Sequence, residues 1–305
     1  MNRGAPDYQR LDARSLRGWP LPGVAQDADK EDRGRVLVVA GSREIAGAAQ
    51  LAAVAALRAG AGKLVIATGE SVALTLAVAV PEARVIALPE TADGSFRVEA
   101  AARLEACAMS VAAALIGPGL MGAKSGVAFV DALLPLLSKV PVVLDALAMD
   151  VVTHRGRAFE QPLLLTPHAG EMAHLLRIDK EEVTRHPERA LDQACSQWNA
   201  VVALKGATTL IGSPAGGRWR HESGHPGLAT SGSGDVLAGL IAGFAARGAP
   251  LEQACAYGVT VHALAGAELA RQLGPLGYLA RELPGKVPRL LRRLEPARGA
   301  VPESA

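Results

Sequence analysis

The segment Gly227-Leu-Ala-Thr-Ser-Gly-Ser-Gly-Asp235 runs directly into an apolar helical stretch, Val236-Leu-Ala-Gly-Leu-Ile-Ala-Gly-Phe244. Its glycines let the main-chain N–H groups of Gly232, Ser233 and Gly234 converge on one point. A helix start adds partial positive charge there, so the segment suits a phosphate or a developing oxyanion. A carboxylate beside such a cradle, here Asp235, is placed to take a proton from a hydroxyl as it attacks a phosphoryl group. The plainer alternative is a glycine turn with Asp235 as a helix cap. Gly232 and Gly234, set among Thr230, Ser231 and Ser233, supply more donors than a cap requires.

Three further segments carry polar groups where strands should end. Leu165-Thr-Pro-His-Ala-Gly-Glu-Met-Ala-His-Leu176 is a strand end followed by Pro and a helix, and ligands of open α/β sheets bind at carboxyl strand ends. His168 leaves the strand at that rim and Glu171 falls in the helix's first turn, where a carboxylate also simply complements the helix dipole. Pro141-Val-Val-Leu-Asp145 ends in another rim carboxylate, or one that only hydrogen-bonds a loop. Val201-Val-Ala-Leu-Lys-Gly-Ala-Thr-Thr209 offers a cation, a bare backbone and hydroxyls within one turn, at Lys205, Gly206, Ala207, Thr208 and Thr209. That set could hold a nucleotide; the bland alternative is a solvated edge lysine.

The elements that must position these groups follow from apolar runs. Strands are expected at 35–41, 63–68, 84–88, 111–116, 140–144, 163–166 and 200–205, with helices at 46–59, 125–137 and 187–198 between them. Strands without polar alternation, interleaved with helices, indicate a mostly parallel sheet covered on both faces, a three-layer α/β/α arrangement. Thr208 to Ile211 with Arg218 to Arg220 reads as a small hairpin at a sheet edge. Helices then dominate at 235–247, 251–273 and 278–294. Residues 1–34 read as an irregular arm and surface loop, 35–294 as a single catalytic domain and 295–305 as a frayed tail.

Composition narrows the partners. Half of the 305 residues are apolar and 20% charged, which excludes a disordered chain. Phe, Tyr and Trp number 4, 3 and 3, so alanine and branched aliphatics do nearly all the packing, which favours helices close on a sheet over an aromatic-rich sandwich. With 32 basic against 30 acidic residues and no dominant basic run, no nucleic-acid or anionic-membrane partner is expected. Cys107, Cys195 and Cys255 lack any CxxC spacing, which suits free thiols in a reducing cytoplasm. The amino-terminal residues carry no secretory signal, and no stretch reaches the ~18 apolar residues that cross a bilayer. The broad alanine-rich helices point to a homo-oligomer, with a tetramer as one candidate.

One motif misleads. Gly117-Pro-Gly-Leu-Met-Gly122 has the G-x-G-x-x-G spacing of a dinucleotide loop after a strand. Pro118 removes an N–H from the loop whose donors should meet a pyrophosphate, and at least three strands precede the unit, so a Rossmann dehydrogenase is disfavoured. A Walker A loop is absent, because Gly62-Lys63 is followed by Leu64.

In their order these segments resemble the ADP/ATP-dependent NAD(P)H-hydrate dehydratases, a branch of the ribokinase-like superfamily. The matching pieces are Gly34-Arg-Val-Leu-Val-Val-Ala-Gly-Ser42, Gly47-Ala-Ala-Gln-Leu-Ala-Ala, Ile116-Gly-Pro-Gly-Leu120, Val143-Leu-Asp-Ala146, Thr166-Pro-His-Ala-Gly-Glu-Met172, Leu204-Lys-Gly-Ala-Thr-Thr209 and the segment from Gly227 to Gly239. The resemblance spans residues 30–290 and implies a ribokinase-like fold. It implies phosphorylation, by ADP or ATP with Mg2+, of the hydroxyl at C6 of hydrated NADH or NADPH, then loss of phosphate. By it Asp235 is the general base, also touching the hydrate; Lys205, Gly206, Ala207, Thr208, Thr209 and Gly234 hold the nucleotide; Gly232, Ser233 and Gly234 form the anion hole. Ala48, Gly119 and His168 hold the hydrate, and Glu171 meets Mg2+ through water. Epimerisation would need a separate protein.

The chain departs from the pattern at Lys30-Glu31, Ile45, Met121, Leu147 and Ser231, where the family has Lys-Gly, an aromatic, glycine, aspartate and glycine. These positions bear on substrate and nucleotide preference. Two other activities follow from the same residues. A ribokinase-like kinase of a small hydroxyalkyl heterocycle would phosphorylate without elimination, and a silent nucleotide-binding homologue would bind without turnover.

Overall fold

Branched aliphatic runs build the sheet, and the alternate side chains of each strand bury on opposite faces of it. The computed structural model describes residues 8–23, 29–154, 159, 161–222 and 224–295. The strands are β1 (Gln9–Arg10), β2 (Arg35–Val39), β3 (Lys63–Gly69), β4 (Ala83–Leu88), β5 (Ala113–Ile116), β6 (Val142–Leu144), β7 (Leu163–Leu165), β8 (Val201–Leu204), β9 (Thr209–Gly212) and β10 (Arg218–His221). The helices are α1 (Ala13–Arg17), α2 (Ala46–Arg58), α3 (Glu70–Ala79), α4 (Glu105–Ala108), α5 (Ala123–Leu133), α6 (Val151–His154), α7 (Ala169–Leu176), α8 (Lys180–Arg185), α9 (Pro187–Trp198), α10 (Ser233–Ala246), α11 (Leu251–Leu273) and α12 (Val287–Leu294).

The strands form one sheet in the order β1-β10-β9-β8-β7-β6-β5-β2-β3-β4, in which β9 alone runs antiparallel to its neighbours. Val36 and Val38 of β2 join the cluster under α2, α10 and α11, whereas Leu37 and Val39 join the one under α5, α7 and α9. Side chains alternate across a strand, so a strand apolar at every position requires cover on both faces. This is the expected three-layer α/β/α architecture with a mostly parallel sheet. Strand order reverses beside β2, which lies between β3 and β5. Crevices at such switch points, outside the carboxyl strand ends, are where open sheets take ligands.

Several expectations need correction. The arm at 1–34 is not irregular throughout, since β1 pairs in parallel with β10 and α1 follows it. Asp12 caps α1 by accepting from the amides of Arg14 and Ser15, Leu11 and Leu16 are buried, and Trp19 stacks on Trp219. A strand of two residues carries no periodicity to read. For the same reason the β9–β10 hairpin is not the sheet edge, because β1 lies outside it. The helix expected at 278–294 is α-helical only from Val287, after short 3-10 turns at Ala280–Glu282 and Pro284–Lys286. Pro284 lacks an N–H and breaks the ladder. Likewise the helix expected at 125–137 starts at Ala123 and tightens to 3-10 form at Leu134–Leu137, around Pro135. Helix α3 was not anticipated. The expected frayed tail, from 296 onward, lies outside the described residues.

Helices α2 and α10 touch through small residues. A Cβ on Gly239 would collide with the carbonyl oxygen of Ala52, and one on Gly243 with that of Ala56. That approach sets the amino-terminal end of α10, with its Gly-Ser-Gly-Asp segment, against α2: a Cβ on Gly232 would meet Leu51 Cδ1.

Candidate active site

Three adjacent strand ends bring three charged side chains together. The backbones leaving β7 and β8 bridge at His168 and Lys205, and the Lys205 amide donates to Pro167 O at 2.8 Å. Lys205 Nζ then lies 3.3 Å from Asp145 Oδ1, at the end of β6, and 3.7 Å from Glu171 Oε2 in the first turn of α7. Asp145 is buried and also accepts from Thr166 Oγ1 at 2.5 Å. Burial by itself would lower the Lys205 ammonium's pKa; the carboxylates of Asp145, Glu171 and Asp235 outweigh it and hold the pKa above the ordinary lysine value.

The loop after β5 exists to allow this. A Cβ on Gly117, at φ +133°, would run into Asp145 O. Ala146, next to Asp145, holds a left-handed φ of 49°, which is unusual for a residue with a Cβ. The G-x-G spacing thus serves a close approach of backbones. Gly119, at φ +67°, does the same for α2: its Cβ would sit 2.7 Å from Ile45 O and 2.8 Å from Ala48 Cβ. Ala48 and Gly119 therefore meet at the switch point between β2 and β5.

His168 caps α7. Its Nδ1 accepts from the amides of Gly170 and Glu171 at 3.0 and 3.1 Å, and Glu171 Oε2 accepts from the His168 amide at 2.7 Å. Two accepted bonds leave Nδ1 without a proton, and Nε2 of the exposed ring lies 3.6 Å from Glu171 Oε2.

The segment expected to form a cradle lies at the start of α10. Gly232 takes a left-handed φ of +86°. The Ser233 amide is spent on Thr230 O at 3.2 Å, which corrects its expected share in the anion hole. The donors that remain are main-chain amides of Gly232, Gly234 and Asp235, in a turn whose first N–H groups have no helical partner. Ser233 contributes its hydroxyl instead, 3.0 Å from His262 Nε2. A Cβ on Gly234 would lie 3.8 Å from Lys205 Nζ, so the lysine head adjoins the cradle. Asp235 is half-buried; burial, then the like charge of Asp145, push its pKa up to about 6 against the pull of Lys205.

A cleft of about 700 Å³ opens beside these groups, lined by Lys205, Gly206, Ala207, Thr209, Ser233 and Gly234, with His168 at its rim. Thr208 instead faces an adjoining cleft of about 430 Å³, with Glu188 and Arg220. Asp235, Glu171, Ala48 and Gly119 stand outside the lining of both. Sequence reasoning missed His221, His225, Leu228, Val259 and His262 in the large cleft. The isolated histidine in the apolar run of α11 was the one available signal.

Among the described residues no group of three or more His, Cys, Asp or Glu side chains could hold a metal ion. The carboxylate of Glu171, 3.7 Å from Lys205 Nζ, fits the way Mg2+ is commonly held, by one or two carboxylates, waters and the substrate's own phosphates.

The mostly parallel sheet covered by helices on both faces is a ribokinase-like α/β fold: a ribokinase-like superfamily protein of Enterococcus faecalis shares it at TM-score 0.83, with 24% identity over 97% of this chain and 99% of that one. A family model described as NAD(P)H-hydrate dehydratase matches residues 36–289. The chain belongs to that family. An ADP-dependent (S)-NAD(P)H-hydrate dehydratase of Xanthomonas campestris is 46% identical over 290 residues, 95% of this chain and 98% of its own length. The chain spans 52% of the bifunctional NAD(P)H-hydrate repair enzyme Nnr of Moorella thermoacetica, at 40% identity over 278 residues. The ADP/ATP-dependent NAD(P)H-hydrate dehydratase of Bacillus subtilis, co-crystallised with ATP and Mg2+, superposes at TM-score 0.80 and 29% identity over 95% of this chain and 100% of that one.

Proposed function

We propose that the protein repairs hydrated NADH or NADPH, using ADP or ATP to phosphorylate the C6 hydroxyl of the nicotinamide ring and then eliminating phosphate. The observation that carries this is where Lys205 and Asp235 stand: a Cβ on Gly234, at the start of α10, would lie 3.8 Å from Lys205 Nζ, and the half-buried Asp235 carboxyl, its pKa pushed up to about 6 by burial, is close enough to Lys205 to feel its charge. A base with that pKa is ionised at neutral pH and basic enough to accept a proton.

Asp235 takes the hydroxyl proton as the oxygen attacks the donor's terminal phosphorus, and the bond to the nucleotide's remaining phosphate breaks. The amides of Gly232, Gly234 and Asp235 and the Lys205 ammonium stabilise charge on the transferring group. Hydroxide leaves poorly, whereas phosphate leaves well. The ring nitrogen's lone pair expels it from C6, and loss of a proton from C5 restores the double bond. Lys205, Gly206, Ala207, Thr208, Thr209 and Gly234 hold the nucleotide, while Ala48, Gly119 and His168 hold the hydrate. Mg2+ arriving with the nucleotide, met by Glu171 through water, would neutralise phosphate charge.

On the same proposal residues 35–294 act as one catalytic domain in the cytoplasm, a separate protein epimerises the hydrate, and the chain forms a homo-oligomer. Support for the last is the exposure of Leu74 and Val78, 80% and 77%, one turn apart on α3. No helix among the described residues is long and apolar enough to cross a membrane. The deciding assay incubates hydrated NADH and hydrated NADPH with ADP or ATP. Regained reduced-nicotinamide absorbance is expected; none with any pairing overturns the proposal.

A further inference from the structure

The hydrogen bond between Ser233 and His262 joins the first residue of α10 to the middle of α11, 29 residues on. Both side chains are nearly buried, at 5% and 8% exposure, and both line the large cleft. The two helices pack closely one turn before His262, where a Cβ on Gly258 would collide with the Ile241 side chain. Because the Ser233 amide is turned to Thr230 O, the hydroxyl is what this residue has to offer an anion.

A serine hydroxyl has one proton and two lone pairs. If Nε2 carries a proton and donates to Oγ, a lone pair is satisfied and the O–H is left to point into the cradle. If Nε2 is bare, it captures the O–H and the cradle loses a donor. An anion site favours the first arrangement. Granted phosphoryl transfer at this cradle, on which the assignment rests, we propose that His262 is a positioning residue whose Nε2–H bond to Oγ makes Ser233 a hydroxyl donor to the transferring phosphoryl group. Burial pushes the imidazole's pKa down to about 4, so at neutral pH the ring is uncharged and the choice between its two tautomers is real.

The test has two independent arms. Turnover is measured for S233A, H262L, H262Q and the double variant S233A/H262L, with far-ultraviolet circular dichroism and melting curves to establish folding. The first two should each lose about 10–100-fold in kcat, the scale of one hydrogen bond to a charged group. The double variant should be no worse than S233A, and H262Q, whose amide can donate from the Nε2 position, should regain most of the loss. Additive losses, or a loss confined to the nucleotide KM, would overturn the assignment. In the second arm, long-range 15N–1H correlation spectra of histidine-labelled protein report the tautomer without any substrate. The proton is expected on Nε2 of the ring whose signals vanish in H262Q; a proton on Nδ1 sinks the assignment. Absence of wild-type turnover with either hydrate would instead defeat the proposed function and leave the tautomer as the deciding measurement for His262.

Discussion

On the proposed mechanism Asp235 and Lys205 divide the labour, and their electrostatics make the division measurable. If Asp235 is the proton acceptor proposed, replacing it by Asn should cut turnover by roughly 10²–10⁴ with nucleotide affinity nearly unchanged. In the wild type kcat/KM should fall as pH drops through about 6, because the base is then protonated. D145N removes a like charge and should move that limb lower; K205M removes an opposite charge and should move it higher, beyond its weakening of nucleotide binding. Stability gives the opposite sign. A carboxyl whose folded pKa is raised costs stability once ionised, so D235N should melt above the wild type at about pH 8, with the difference closing below about pH 4. Melting curves at the two pH values check this. The types of these residues were legible from the sequence, since glycines before a helix and a lysine at a strand end carry their chemistry locally. The Ser233 to His262 bond was not, because nothing in either segment names the other.

At the scale of elements, close packing of small residues decides where the cradle sits. Gly239→Ala would drive a methyl into the Ala52 carbonyl and should cost about 1–3 kcal/mol by urea denaturation, with a loss of turnover as α10 shifts. The amino-terminal strap is equally part of the fold. Leu16 is wholly buried, Tyr257 Oη donates to its carbonyl at 2.9 Å, and His221 Nδ1 lies 2.9 Å from Leu11 O. Leu16→Ala should therefore cost about 2–5 kcal/mol, where a peripheral arm would lose almost nothing. That strap escaped sequence reading because two strand residues and one turn of polar helix show no hydrophobic period. Long apolar runs such as α11 were read with their boundaries intact, and prolines moved the boundaries of α5 and α12.

For the whole molecule, a ligand that binds only the folded state raises its stability by mass action, about 2.7 kcal/mol at a hundredfold excess over Kd. ADP or ATP should raise the melting temperature of the wild type and not of K205A. Leu74→Glu with Val78→Glu should shift the particle to a smaller mass by light scattering if α3 forms the oligomer contact. Composition, the types of the long apolar strands and helices and the chemical character of each site segment were determined by the sequence alone, since hydrophobic period, glycine freedom and capping act within a few residues. The company those segments keep was decided by the tertiary structure. Asp145 and Lys205 are 60 residues apart in the chain and 3.3 Å apart in space only because the ends of β6 and β8 flank β7 in the sheet. The raised pKa of Asp235 is decided there too, first by burial at the start of α10 and then by the charge of Asp145, since burial and neighbouring charge belong to the fold and not to any one segment.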